Sequence, residues 1–516
     1  MNKRIASIDA LRGIAIIMMI LCSSIGWNSG LPAWMFHCQC PPPTYAFDPM
    51  VKGITWVDLV FPWFLFSMGA AIPFALGSRL RKGMSFGQIS LGLVRRWLTL
   101  AAFGLVLGNA GAVTDHAAWA PSLLRIGIWC GLFLALWRID ARSVPGMTGK
   151  GVPSMTGKGV PGMTGKGVPG MTGKGVPGMT GKGVPSMTGK GMTSSPTRSG
   201  IWINALGVLV VIAMLCVEKF VLGASLSLHS IDIIIMVLSM VALLGGFAWL
   251  LTRERLIWRL AILALVFVTK EVNWQTHALD FLAFPDWIDW LLRWSYAQYL
   301  FIVVLGTIIG DIIMQVSQDG GPEALCASPH DWQSTVAAGL CFLMTPIALW
   351  GFFTRRIWIL FTIVFALGGL AMWLTRRDKS AWAAIMRIGL AALQFGIVFD
   401  PIDGGITKDH CNMSYMLSTA GLACLMVSFL LWCESAEALR GRPLSRVLTM
   451  TGQNPMVAYT IVWFVIMPLL SACGFGHFMN ATVGSPILGL LQGFIITGLM
   501  VCATCFFTSR RIFWRS

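Results

Sequence analysis

Long apolar runs follow one another along almost the whole chain, separated by short polar stretches. A helix needs about 20 apolar residues to cross the hydrocarbon core of a bilayer. Fourteen windows approach that length, near 13–27, 56–77, 90–110, 120–139, 201–222, 231–251, 256–271, 296–316, 333–352, 357–375, 381–399, 412–433, 455–473 and 485–508. Several are short or carry a charge, so the count ranges from 11 to 14. The pattern predicts an all-α polytopic membrane protein of about 14 spans with both termini cytoplasmic. The first window follows Asp9 and Arg12 and shows no small-residue cleavage site before Trp27, so it reads as a span rather than a signal peptide.

The loops order these windows. Lys3, Arg4 and Arg12 precede the first, and Arg79, Arg81, Lys82, Arg95 and Arg96 follow the second. Arg138 and Arg142 follow the fourth, Arg253 and Arg255 the sixth, Arg376, Arg377 and Lys379 the tenth, and Arg440, Arg442 and Arg446 the twelfth. Alternating spans put all of them on one side, which is the cytoplasmic one. Arg355 and Arg356 break the rule. The loops on the outer side hold the acids, histidines and tryptophans. Between the fourth and fifth windows, residues 144–191 are six copies of Val-Pro-[Gly/Ser]-Met-Thr-Gly-Lys-Gly. Proline and glycine in every unit prevent a helix, and there is almost nothing apolar to bury. The expected organisation is a front bundle at 1–142, a flexible cytoplasmic linker at 143–200 and a rear bundle at 201–516. No phosphate loop arises from the repeats, because each Gly-Lys is followed by Gly.

Composition agrees. Of 516 residues, 56% are apolar and 12% charged, and the mean hydropathy is +0.73. A typical soluble protein has about 25% charged residues. An ordinary soluble domain, a disordered chain and a nucleic-acid-binding module are excluded. The net charge of +16 belongs to the basic loops and the repeat lysines rather than to a nucleic-acid partner. Most of the 13 cysteines lie inside apolar runs, where they act as small hydrophobes. Cys38 and Cys40 sit in a polar outer loop and are open to oxidation there. No spacing of His and Cys suggests a metal.

Charges inside a span cost roughly 2.5–3.5 kcal/mol on insertion scales, so they have a partner or a task. Asp9 and Arg12 are three apart and can pair as a helix-start ion pair. Thr55 is placed as an N-cap with Asp58 at the third helical position, where a carboxylate meets free N–H groups. Pro62 is expected to kink the helix beyond. Arg125 lies about six residues into the fourth window, at a depth where it could pair with Asp58. Arg387 and Asp311 are further intramembrane candidates. His37, in the first outer loop, has the side chain best suited to act as base or nucleophile near neutral pH; His116, His410 and His477 are other outer-side candidates. Lys408, Asp409, Asn412, Ser414 and Tyr415 gather before the twelfth window and suit hydrogen bonding to a sugar, whereas an interfacial helix start explains them equally. Gly452-Gln-Asn-Pro reads as a cap.

Two segments carry a resemblance. Arg4-Ile-Ala-Ser-Ile-Asp-Ala-Leu-Arg-Gly resembles the opening of the transmembrane heparan-alpha-glucosaminide N-acetyltransferase family, and Gly53-Ile-Thr-Trp-Val-Asp-Leu-Val-Phe-Pro-Trp-Phe-Leu-Phe-Ser-Met-Gly resembles its second signature. Leu124-Arg-Ile-Gly looks like part of a third. The Lys408-to-Tyr415 segment and Gly452-Gln-Asn resemble its C-terminal motifs more loosely, and the middle third of the chain matches weakly. The resemblance implies acetyl transfer from cytosolic acetyl-CoA, as co-substrate, to a glucosamine-type amine across the membrane. It implies that His37 is the key catalytic residue; Asp58 and Arg125 are then expected to organise the outer site. Ser23 stands where the family has an Asn, and with Arg125, Lys408, Asp409 and Asn412 it is expected to contact substrate. Arg79, Arg95 and Arg96 are expected to attract the phosphates of the donor. A bacterial branch of the family goes with use of amino sugars at the inner membrane. The alternative is therefore an inner-membrane permease for N-acetylglucosamine or N-acetylmuramic acid. Expected partners are membrane lipid and an amino sugar, with no nucleic acid; a homo-oligomer is left open.

Overall fold

A computed structural model describes residues 5–110, 119–136, 198–276, 285, 288, 290–320, 331–435 and 442–514. The octapeptide repeats, residues 143–197 of the expected linker and His116 lie outside the described residues, and 198–200, expected in the linker, open a helix. The described residues are helical and contain no β-strand.

The helices are α1 (Ala6–Ser24), α2 (Val60–Arg81), α3 (Phe86–Asn109), α4 (Trp119–Leu136), α5 (Arg198–Phe220), α6 (Ile233–Thr252), α7 (Leu256–Thr276), α8 (Leu300–Gly320), α9 (Trp332–Phe353), α10 (Ile357–Leu374), α11 (Ala381–Ile402), α12 (Met413–Ser435), α13 (Pro443–Gln453), α14 (Pro455–Ile461), α15 (Met467–Ala472), α16 (Phe475–Ala481) and α17 (Pro486–Ser509). Every expected window falls on a helix. Among the described residues, twelve segments are long and apolar enough to cross a membrane. The two that drop out have simple reasons: Ala120–Leu136 is short, and α7 carries Arg259, Lys270 and Glu271.

The chain has no water to satisfy its backbone in lipid, so helices pack by close approach of small residues. On α2, a Cβ at Gly69 would lie 2.3 Å from the carbonyl oxygen of Val303 on α8. On α8, a Cβ at Gly306 would lie 2.5 Å from the carbonyl oxygen of Phe66. These two helices therefore pack backbone against backbone. α1 crosses α13 in the same way, with Gly452 against the carbonyl of Asp9 and Gly13 against that of Leu448. Gly452 is thus a crossing point, and Asn454 in the same motif is the cap position that ends α13 and opens α14, its side chain bonding Ile512 and Trp514. Pro62 occupies the first turn of α2, where a missing N–H costs little, so no kink is needed there; Pro73 is the proline inside this helix.

The buried core is shared by α1, α2, α6, α8, α11 and α12. Polar intramembrane groups are paired within it. Asp311 on α8 meets Arg259 on α7 at 2.5 Å and accepts the indole N–H of Trp249 at 2.9 Å. Arg387 donates to the carbonyls of Thr375 and Asp378 at 2.6 and 2.8 Å, closing the end of α10. Both are thereby accounted for as packing groups.

Candidate functional site

The loop from Ile25 to Thr55 joins α1 to α2 and folds back over the same end of the bundle. Its aromatic residues fix it: Phe36 packs on Trp27 and Tyr45 with ring centroids 5.7 and 5.0 Å away. Thr55 caps a single 3-10 turn, Trp56–Leu59, that leads into α2. Its hydroxyl donates to the carbonyl of Phe36 at 2.8 Å, so the start of α2 and the residue before His37 are held together.

Asp58 sits on that turn with its side chain fully buried. One carboxylate oxygen accepts the backbone N–H of Thr55 at 2.9 Å and that of Cys38 at 3.4 Å. The other lies 2.7 Å from Nδ1 of His37. Tyr415, on α12, donates its hydroxyl to the Asp58 carbonyl at 2.7 Å. Lys408, in the loop before α12, brings its ammonium to 3.1 Å from His37 Nδ1 and 3.7 Å from Asp58. The result is a His–Asp–Lys cluster assembled from two distant stretches of chain. The Asp58 carboxylate makes the shorter contact and favours the proton on Nδ1, with Lys408 a neighbouring charge rather than a donor to that nitrogen, and the lone pair is then on Nε2. Nε2 has no hydrogen-bond partner among the described residues, and the His37 side chain is 35% exposed. This ring can accept a proton or attack a carbonyl carbon.

Asp409 lies close enough to Lys408, Asp58 and His37 to feel all three charges. Burial pushes its carboxyl up, Lys408 pulls it down and Asp58 raises it again. Burial likewise pushes the Cys38 thiol up to about 12, with the Asp58 carboxylate adding to the effect. Cys38 and Cys40 are free thiols. Cys22, in the last turns of α1, also feels Lys408 and Asp58.

The other candidates separate. Ser23 folds its hydroxyl back onto the Met19 and Ile20 carbonyls at 2.8 and 3.1 Å and faces a different cavity. Asn412 is a structural group: its amide donates to Gly405 and its oxygen accepts from Thr407 and Tyr415, which fixes the loop that carries Lys408. The expected Arg125–Asp58 pair does not form, because both Asp58 oxygens are occupied by the His37 loop and Lys408. α4, which carries Arg125, packs instead on α5 and on the Val462–Ala472 stretch. Arg79, Arg95 and Arg96 are near the other end of the bundle. Arg79 and Arg96 influence each other there, and Arg12 acts on Arg96 as well. Arg12 itself pairs with Asp9 at 3.4 Å and donates to the carbonyl of Ser67 at 3.0 Å. Among the described residues no group of three His, Cys, Asp or Glu could hold a metal.

The two arginines that broke the charge rule have a structural reason. Arg355 sits in the tight α9–α10 connection at φ +58° and makes a two-pronged ion pair with Asp400, both N–O distances being 2.8 Å. Asp400 in turn accepts the N–H of Ile406, just before Lys408. Arg355 thus braces the loop that delivers Lys408. An arginine pair in the wrong place for topology was the one sequence signal that pointed to it.

Comparison with known proteins places this geometry. The model of a family described as a domain of unknown function, DUF5009, matches residues 4–144 and 187–313, just over half of the chain. Human heparan-alpha-glucosaminide N-acetyltransferase is 28% identical over 147 residues, which is 28% of this chain and 20% of that protein. The mouse protein of the same name is 27% identical over 131 residues, covering 24% and 18%. The chain thus matches about a fifth of the length of these curated relatives.

Proposed function

We propose, on the premise that the chain belongs to the DUF5009 family, that it is a membrane acetyltransferase acting on a glucosamine-type amine, with His37 at the reacting centre. The observation that carries this is the buried Asp58 carboxylate 2.7 Å from His37 Nδ1, which leaves the Nε2 lone pair facing open space. The names of the two relatives supply the reaction class, and the cluster supplies the group that such a reaction needs. Acylation of an amine requires that the nitrogen lose a proton as the new amide bond forms. His37 Nε2 accepts that proton, Asp58 stabilises the imidazolium, and the proton then passes to the departing thiolate. Lys408 lies beside the place where the acyl oxygen gains negative charge, and its ammonium suits that charge. Asp409 is available to the sugar.

Acetyl-CoA, as donor, supplies the thioester. Arg79, Arg95 and Arg96 fit its phosphates by charge, and Arg12 stands between them and His37 along α2. The proposed setting is a bacterial inner membrane, with the His37 end outward and the basic loops in the cytoplasm, as the distribution of Lys and Arg implies.

The test uses sealed vesicles of known orientation. Acetyl-labelled CoA is placed on the side of the basic loops and glucosamine on the other. Labelled N-acetyl sugar, lost in His37→Ala, supports the proposal. Equal turnover in His37→Ala overturns the assignment of His37. Absence of product together with saturable movement of added N-acetylglucosamine would make the protein a permease.

A further inference from the structure

A cavity opens at the same end of the bundle as His37. It has a volume of about 280 Å³ and lies between the last turn of α1, the Trp463 segment, α16 and the start of α17. Ligand pockets usually measure about 300–1,000 Å³, so this one has room for a single ring rather than a chain. Its lining includes Ser23, Ser24, Trp27, Trp463, Asn480 and Gln492, and no charged side chain.

Three features distinguish it from a crevice between helices. Ser24 is 4% exposed, yet its hydroxyl has no hydrogen-bond partner among the described residues. Such a group costs about 1–3 kcal/mol when left unmet, so it is either a defect or half of an interaction with something absent. Gln492 is 5% exposed and held in one pose, donating to the Ser24 carbonyl at 3.0 Å with its oxygen 3.4 Å from the Thr482 hydroxyl. Trp463 belongs to a π-helical turn, Val462–Ile466. Such turns add a residue to a helix and re-aim side chains, and they concentrate at functional sites.

The chemistry of the lining narrows the ligand. Two indoles offer apolar faces, and hydroxyl and amide groups surround them. A sugar ring has the matching pattern, with C–H faces and a girdle of hydroxyls. Without charge, the lining favours a neutral ring. Trp27 forms the partition: it lines this cavity and its ring packs 5.7 Å from that of Phe36, the residue before His37.

We propose that this cavity is a subsite for a neutral pyranose ring, holding the sugar next to the one whose amine reaches His37. The role of the neighbouring ring rests on the acetyl-transfer reading; the binding itself does not. The acceptor would then be at least a disaccharide, with its inner ring against Trp463 and Trp27 and its hydroxyls toward Asn480.

Two measurements test this on the full chain in detergent. Isothermal titration with the neutral β-linked disaccharide of N-acetylglucosamine should show saturable binding. Trp463→Ala should raise Kd at least about tenfold, and Trp463→Phe should restore most of it. No binding at millimolar sugar, or one Kd for all variants, overturns the subsite. In the acetyl-transfer assay, Trp463→Ala should lower kcat/KM about tenfold for a disaccharide ending in glucosamine and leave free glucosamine unaffected. Equal losses on both acceptors overturn the subsite. If the titrations behave as described but wild type transfers no acetyl group, the proposed reaction fails and the subsite stands.

Discussion

Replacing Asp58 with asparagine isolates the role of the buried carboxylate, because shape is kept and one acceptor atom is lost. In the native site the two oxygens serve separate clients: one takes the Thr55 and Cys38 N–H groups, the other takes His37 Nδ1. An asparagine offers one oxygen and one NH2. Turning the oxygen toward the two backbone donors keeps more bonds, and the NH2 then faces Nδ1. His37 must accept there, so its proton moves to Nε2 and the lone pair that the reaction needs is gone. The opposite flip preserves the imidazole tautomer but sets the NH2 against two N–H donors. General-base catalysis contributes about 10²–10⁴, and loss of the correct tautomer in a Ser-His-Asp site costs about 10⁴. We expect Asp58→Asn to lower kcat by about 10³, or about 4 kcal/mol of transition-state stabilisation. The KM for the amino sugar should change by no more than a few-fold, because Asp58 is buried behind His37. The assay is steady-state acetyl transfer in proteoliposomes, with thermal unfolding in detergent as a check on folding. A folded Asp58→Asn protein that keeps more than a tenth of wild-type kcat would refute the tautomer argument.

Three further outcomes follow from the geometry. Arg355→Ala strands the Asp400 carboxylate, 2% exposed, and should lower stability by about 3 kcal/mol, with Arg355→Ala/Asp400→Asn recovering part of it; a melting temperature unchanged by the single substitution would show that the pair is dispensable. Cys38, with its thiol pushed up to about 12, should hold only about one part in 10⁴ as thiolate at pH 8. Maleimide should therefore spare Cys38 between pH 7 and 9 while labelling the exposed Cys473, and equal labelling by mass spectrometry would contradict the burial of the His37 loop. Arg79→Ala/Arg96→Ala should raise the KM for acetyl-CoA about tenfold and leave the KM for the amino sugar alone; a change in the sugar KM instead would detach these arginines from donor binding.

The helices were legible because lipid imposes a length and a composition on each span, and that signal survives without tertiary information. The Thr55–Asp58 cap was legible for a similar reason, since capping is decided within four residues. The partners of Asp58 were not. Arg125 was the nearest intramembrane cation by depth, but depth along a span says nothing about which helices touch. Lys408 is 350 positions away from Asp58 and reaches it only because α11 and α12 pack along their length and Arg355 and Asn412 shape the loop between them. Ser23 and Cys22 show the same limit at finer scale. Adjacent residues on a helix point about 100° apart, so which of two neighbours faces a given site is set by packing that the sequence does not show.

The spacing along α2 constrains how an acetyl group can reach His37. Asp58 and Arg79 are 21 positions apart on a nearly continuous helix, about 30 Å at 1.5 Å per residue. His37 does not travel that distance, because Asp58, Phe36 and Thr55 pin its loop to the start of α2. Arg12 divides the interval: its contact with the Ser67 carbonyl lies nine positions from Asp58, about 14 Å. Its electrostatic influence on Arg96 links it to the basic end. Guanidinium groups are thus staged at the cytoplasmic end and partway along the helix, and Lys408 supplies the cation at the far end. A donor with its phosphates on Arg79 and Arg96 would have to extend past Arg12 for its thioester to meet Nε2. On that reading Arg12 serves as more than the partner of Asp9. Its bonds to Ser67 and Gly452 tie α1 to α2 and α13 at the depth such a donor would have to pass.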